Sequence, residues 1–137
     1  MEPTPEWVEP LRNRRIGSAE RELTIFENVD RGDPPTTPRG GIPLHCHRSE
    51  DEAWYVLEGR LRFRYGAREF DARAGAGVLL PHGTPHTFWN PGPEPARYLL
   101  IVRPRTAALL EALHAPSGVR EQNVRSLYDR FDVDLLE

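Results

Sequence analysis

The chain has 137 residues and a net charge of −3, a length that suits one domain with one sizeable core. No apolar run approaches the roughly 18 residues of a membrane-spanning helix, and the slight negative charge gives neither nucleic acid nor an anionic membrane anything to be drawn to. All 18 basic residues are arginine, so lysine Schiff-base chemistry is excluded; the single cysteine, Cys46, excludes an internal disulfide.

Residues 1–22 are polar with scattered prolines and are expected to form an arm. The start MEPTPEWVEP lacks the basic residues and apolar stretch of a secretion signal, which with the lone cysteine predicts a cytoplasmic protein. ELTIFEN (22–28) alternates as a first strand, and RGDPPTTPRGGIP (31–43) is too rich in proline and glycine to be anything but loop. From Asp51 to Arg103 short strands follow one another. EAWYVLEG is aromatic and β-branched. RLRFRY places Leu61, Phe63 and Tyr65 on one face and Arg60, Arg62 and Arg64 on the other, a solvated ladder. Gly66-Ala67 suits a hairpin turn, and EFDA, GVLLP, HTFWN and ARYLLIV (96–102) continue the series. Strands of this length with turns every 8–12 residues predict an all-β sandwich or barrel over 23–104. Residues 105–137 read as a helical segment. One helix spans 105–118, with stop signals at Pro116 and Gly118; a second spans 119–131, its stripe of Val124, Leu127, Tyr128 and Phe131 packing on the sheet or on a partner chain.

The stretch PLHCHRSEDE (43–52) raises a sharper question, because it holds two of the five histidines and three consecutive acids. In a strand His45 and His47 share a face, while Cys46 points to the other. Glu52 shares a face with Trp54 and Val56, where an unpaired carboxylate is costly unless a metal or partner meets it. Glu50 and Asp51 fall in the connecting turn. Of the remaining histidines, His82 lies in the turn PHGTP and His114 near a helix end, whereas His86 opens a strand with Phe88 on its face. A metal site of His45, His47, Glu52 and His86 is one reading; four ordinary, satisfied polar side chains are the other.

Two motifs resemble those of the cupin superfamily. HCHRSEDEAWYVLEG matches the first: HxH, four residues, Glu, six residues, Gly, falling on His45, His47, Glu52 and Gly59. GAGVLLPHGTPHTFWN matches the second on Gly75, Pro81, Gly83, His86 and Asn90. One departure is Arg39, where the family often has glycine six residues before the first histidine; Gly40 and Gly41 adjoin it. The resemblance covers roughly residues 20–104. It implies a double-stranded β-helix, a jelly-roll barrel with short C-terminal helices, often paired as a homodimer. It further implies one divalent transition metal held by the three histidines and Glu52. Fe, Mn, Ni, Co and Zn all suit that donor set.

Strand parity adds a pocket of Trp54, Val56 and Phe88, with Leu80, Tyr98 and Leu100 as further walls, suited to a planar small molecule. The string DEAWYVLEGRLRFRYG resembles single-domain bacterial proteins similar to quercetin 2,3-dioxygenase. That likeness implies a metal-dependent oxygenase of a small aromatic or enolisable substrate, with Glu52 able to leave the metal and act as a catalytic base. A non-redox cyclase or isomerase of polyketide type, or a non-catalytic binding cupin, are the alternatives.

Overall fold

The computed structural model describes residues 6–17, 20–32, 42–115 and 124–136. Its elements run β1 (Arg15–Ile16), β2 (Thr24–Asp30), β3 (His45–His47), β4 (Glu52–Glu58), β5 (Arg60–Tyr65), β6 (Arg68–Arg73), β7 (Gly77–Leu80), β8 (His86–Trp89), β9 (Ala96–Val102), α1 (Pro104–Leu113), α2 (Val124–Arg130) and β10 (Val133–Leu135). The strands form two antiparallel five-stranded sheets, ordered β1-β2-β9-β4-β7 and β10-β3-β8-β5-β6. This is the all-β architecture expected from the strand pattern.

Alternation decides which residues meet between the sheets. On β9 the burial pattern alternates strictly, with Ala96, Tyr98, Leu100 and Val102 inward. On β5 Leu61 and Phe63 are fully buried, whereas Arg60 and Arg62 lie on the outer face and share Asp71. The expected hairpin forms: Tyr65 pairs with Arg68 across Gly66-Ala67, and Gly66 takes φ +60°. The two sheets are joined by aromatic contacts, with the Trp54 ring 5.1 Å from that of Phe63 and 5.3 Å from that of Phe88. Gly59, the glycine of the first motif, has φ +73°, and a Cβ there would lie 2.3 Å from the Pro95 carbonyl oxygen. No other residue fits that close approach.

Three expectations change. Within the arm at 1–22, Arg15 and Ile16 pair with Phe26 and Ile25, so this part of it is an edge strand of the first sheet. The first helix begins at Pro104, because a proline lacking an N–H is tolerated in the first turn. It closes earlier than Pro116, with His114 at the C-cap donating its ring N–H to the Leu110 carbonyl at 2.7 Å. The start of the second expected helix, 119–123, and the stop at 116–118 lie outside the described residues. Finally, the C-terminal segment is not wholly helical. Val133 and Leu135 are buried, and β10 pairs with β3 in the register Val133–His47, Asp134–Cys46 and Leu135–His45. A three-residue strand is too short to show a period, and its partner is far away in sequence. A second apolar cluster of Leu109, Leu127, Tyr128, Val133 and Leu135 packs the helices onto this edge.

Candidate metal centre

The two sheets bring His45, His47, Glu52 and His86 together. Their ligand atoms lie within 4.8 Å of one another. His45 and His47 come from one face of β3, His86 from β8, where it pairs directly with His45, and Glu52 from the start of β4 in the opposing sheet. All four are buried, at 9%, 3%, 6% and 2% exposure for His45, His47, Glu52 and His86. The turn of the second motif is tied to the first, since Gly83 N–H donates to the His47 carbonyl at 2.8 Å. Asn90, the last residue of the second motif, sits away from the cluster. Its side chain donates to the carbonyls of Asp30 and Glu94 and accepts from Gly92 N–H, pinning the β8–β9 loop.

The orientation of each imidazole is set from behind. His45 Nδ1 faces the Pro43 carbonyl at 2.7 Å and carries its proton there, while His86 Nδ1 faces the Thr84 carbonyl at 3.1 Å. His47 Nδ1 faces the Thr106 hydroxyl at 3.2 Å. With the δ nitrogens engaged, the ε nitrogens are left for the centre. His86 Nε2 hydrogen-bonds Glu52 Oε1 at 2.9 Å, and His47 Nε2 approaches the same oxygen at 2.8 Å. His47 Nε2 nonetheless has no partner in hydrogen-bonding geometry, although it is buried. A buried imidazole lone pair beside a carboxylate is costly on its own and is satisfied by a divalent cation. The residues present therefore fit a metal ion.

The electrostatics agree. Burial acts to raise the Glu52 carboxyl, but His47 and His86 against it outweigh that and hold it far below the usual carboxylate range. Burial, with His86 adding to it, lowers His45 to about 4. The site thus keeps one anion and a neutral His45 down to acid pH, the protonation state a ligand needs. A carboxyl held so low stays ionised and is a weak base.

The three consecutive acids have three fates. Glu52 joins the cluster. Asp51 is exposed and accepts both the backbone N–H and the ring Nδ1 of His82, at 2.9 and 2.8 Å, which places His82 outside the site. Glu50 binds the first turn of α1. Cys46 is partly exposed on the opposite face of β3, where burial raises its thiol pKa and Asp134 adds to the effect.

A cavity of about 870 Å³ opens from His45, His47 and Glu52. Phe88, Tyr98 and Leu100 line it, as parity suggests, whereas Trp54, Val56 and Leu80 are buried in the core outside its lining. Sharing a face with a ligand brings a side chain inward but does not say how deep it sits. Sequence reasoning missed Phe26, Asn28 and Tyr128 on the wall. Tyr128 was expected on a packing stripe; its ring lies 6.2 Å from that of His45. Tyr98 is pushed up to about 12 by burial, against a bond with the Asn28 side chain, so its phenol stays protonated.

Comparison with known proteins agrees with the fold. A cupin-domain family model matches residues 36–102. The chain is 30% identical over 94 residues to the uncharacterized protein MJ1618 of Methanocaldococcus jannaschii, a match covering 64% of this chain and 74% of that protein. It is 36% identical over 67 residues to the polyketide synthase CurC of Streptomyces cyaneus, covering 49% of this chain and 44% of CurC. Among solved structures it resembles a cupin protein of Bacteroides fragilis at a TM-score of 0.58, with 13% identity, over 75% of this chain and 86% of that one. It also resembles a putative sugar phosphate isomerase of Acidithiobacillus ferrooxidans at a TM-score of 0.50 and 26% identity, over 61% of this chain and 51% of that one. The chain belongs to the cupin superfamily, and its His3Glu cluster could hold a metal ion.

Proposed function

We propose that this cupin is a metal-dependent enzyme that rearranges a small, enolisable, largely aromatic substrate by non-redox isomerisation or cyclisation. The observation that carries the reading is the four-donor cluster opening into an 870 Å³ cavity whose wall includes Phe26, Phe88, Tyr98 and Tyr128. The likeness to CurC and to a putative sugar phosphate isomerase supports it, although the chain spans about half or less of either protein. A divalent ion held by His45, His47, Glu52 and His86 would polarise a carbonyl or enolate oxygen. Phe88 and Leu100 would exclude water and seat a planar ring. Tyr98, a neutral phenol on the wall, would donate a hydrogen bond to a second oxygen of the substrate. Glu52 would serve as ligand in preference to base.

An oxygenase is the second reading, favoured by a donor set of three imidazoles and one carboxylate that also suits redox-active Fe, Mn or Ni. The two part in one experiment: zinc and iron forms of the protein are offered flavonols and β-diketones while O₂ uptake and product are followed. Turnover by the zinc form without O₂ uptake supports the first reading. O₂ uptake confined to the iron form replaces it with the second, and no turnover on a broad panel leaves a metal-binding cupin. We also propose a homodimer paired through the outer face of the β1-containing sheet, where Leu79 and Tyr55 are 64% and 43% exposed. Light scattering that gives a monomer's mass at micromolar concentration would reject it.

A further inference from the structure

The three histidines of the cluster are held in two different ways. His45 and His86 lean on backbone carbonyls two residues before them, groups that only accept. His47 leans on Thr106, a side chain 59 residues away on α1. A hydroxyl both donates and accepts, so Thr106 alone does not decide which nitrogen of His47 carries the proton.

Glu50 decides it. The Thr106 hydroxyl lies 2.9 Å from Glu50 Oε1, and a carboxylate oxygen only accepts. The single hydroxyl proton therefore points to Glu50, and the hydroxyl oxygen offers a lone pair to His47 Nδ1–H. In the opposite tautomer His47 Nε2 would carry the proton beside Glu52 Oε1 at 2.8 Å and occupy a ligand position with hydrogen.

The same carboxylate fastens α1. The N-cap residue Arg103 makes no side-chain cap bond, and the first turn holds no acid. Glu50 supplies both from another part of the chain: Oε2 accepts Arg105 N–H at 3.0 Å and Oε1 accepts Thr106 N–H at 2.8 Å. Free N–H groups and the positive end of a helix favour a carboxylate there. Thr106 itself is 2% exposed, so no water competes for its hydroxyl.

We propose that Glu50, acting through Thr106, is a positioning residue that fixes His47 in its Nδ1–H tautomer. His47 is then ligand-competent only while α1 is docked. The inference rests on the metal reading of the cluster and adds to it a tautomer control outside the ligand set.

The test uses Glu50→Ala, Thr106→Val and Thr106→Ser in the full chain, with three readouts. Histidine tautomers of the metal-free protein are read by long-range ¹H–¹⁵N NMR, zinc affinity by competition with a chelator, and the melting temperature by calorimetry. Thr106→Ser keeps the hydroxyl and is expected to match wild type in tautomer and zinc affinity. Glu50→Ala removes the oxygen that accepts the Thr106 hydroxyl proton and frees that hydroxyl to turn toward His47. It and Thr106→Val are expected to move His47 toward Nε2–H and to weaken zinc about 10- to 100-fold, the usual effect of losing an outer partner. His45, held by the Pro43 carbonyl, is expected to keep its tautomer. Glu50→Ala with a lowered melting temperature, an unchanged His47 tautomer and an unchanged zinc affinity would overturn the proposal and leave Glu50 as a helix cap alone. Failure of the wild type to bind zinc or any other transition metal would instead overturn the metal reading beneath it.

Discussion

The two ends of the barrel interior differ sharply, and the change happens within two residues on each sheet. On β4 it is the step from Glu52 to Trp54, and on β8 the step from His86 to Phe88. At the donor end, every imidazole is backed by an oxygen and the cluster faces an 870 Å³ cavity. At the aromatic end, Trp54, Phe63 and Phe88 stack edge and face, and Trp54 Nε1 is buried without a hydrogen-bond partner. The dry end tolerates that lost bond, worth about 1–3 kcal/mol, because ring packing outweighs it. The same strands thus build a rigid wall and a polar mouth, and the wall holds the mouth in register.

Removing one ligand breaks the contrast most severely. Glu52→Ala or His86→Ala is expected to cost metal affinity more than the roughly 100-fold typical of outer partners. Asp51→Ala, whose carboxylate pairs with His82 at the surface, is expected to bind metal as wild type does. Elemental analysis after dialysis checks both; equal metal content in Glu52→Ala and Asp51→Ala would dismiss the cluster as a site. At the aromatic end the order of effects reverses. Phe63→Ala is expected to cost about 3–5 kcal/mol in urea unfolding, the range for a buried aromatic ring, while folded molecules keep their metal.

That contrast marks what the sequence could reveal. The spacing of His45, His47, Glu52 and His86, together with strand parity, foretells the cluster, because both a strand's face and a motif's spacing are local properties. The strands from Glu52 to Val102 were legible for the same reason. Depth along the barrel was not: Trp54 and Val56 share a face with Glu52, yet the cavity turns toward Phe26 on β2 and Tyr128 on α2. Both neighbours come from distant segments, and pairing across such distances leaves no period in either segment. Thr106 looks in sequence like any threonine in a first helical turn, and β10 is visible only once β3 is there to receive it.

Acid separates the two ends next. His45 is lowered to about 4 by burial, whereas in the unfolded chain it titrates near its ordinary 6.5. Between those values the unfolded chain binds the proton and the fold does not, so stability of the metal-free protein falls as pH falls through this window. The loss from His45 amounts to about 3 kcal/mol over the full window. Glu52 adds to it in the same direction below its ordinary 4.5, because the fold keeps that carboxyl ionised. Urea unfolding of the metal-free protein from pH 7 to 4 measures the slope. His45→Asn is expected to flatten it and Phe63→Ala to leave it parallel to wild type; an unchanged slope in His45→Asn would place the acid sensitivity elsewhere.

The smallest effect falls on the boundary between the ends. Phe88 belongs to both: its ring touches Trp54 in the core and Tyr98 at 5.7 Å, and it lines the cavity. Trp54 is a neighbour of similar character that does not reach the cavity. Phe88→Leu keeps an apolar side chain but removes the ring that would stack on a planar substrate, a contact worth about 0.5–1.5 kcal/mol. KM for an aromatic substrate, or Kd for a non-reacting analogue, is therefore expected to rise by up to about tenfold, since 1.4 kcal/mol is a factor of ten. Metal content should hold, because the Phe88 ring packs on Trp54, Phe63 and Tyr98 and supplies no ligand atom to the cluster. Trp54→Phe, matched for melting temperature, is expected to leave both KM and metal unchanged. If Trp54→Phe raises KM as far as Phe88→Leu does, the wall of the substrate site runs deeper than the cavity at the mouth, and the two ends are one pocket.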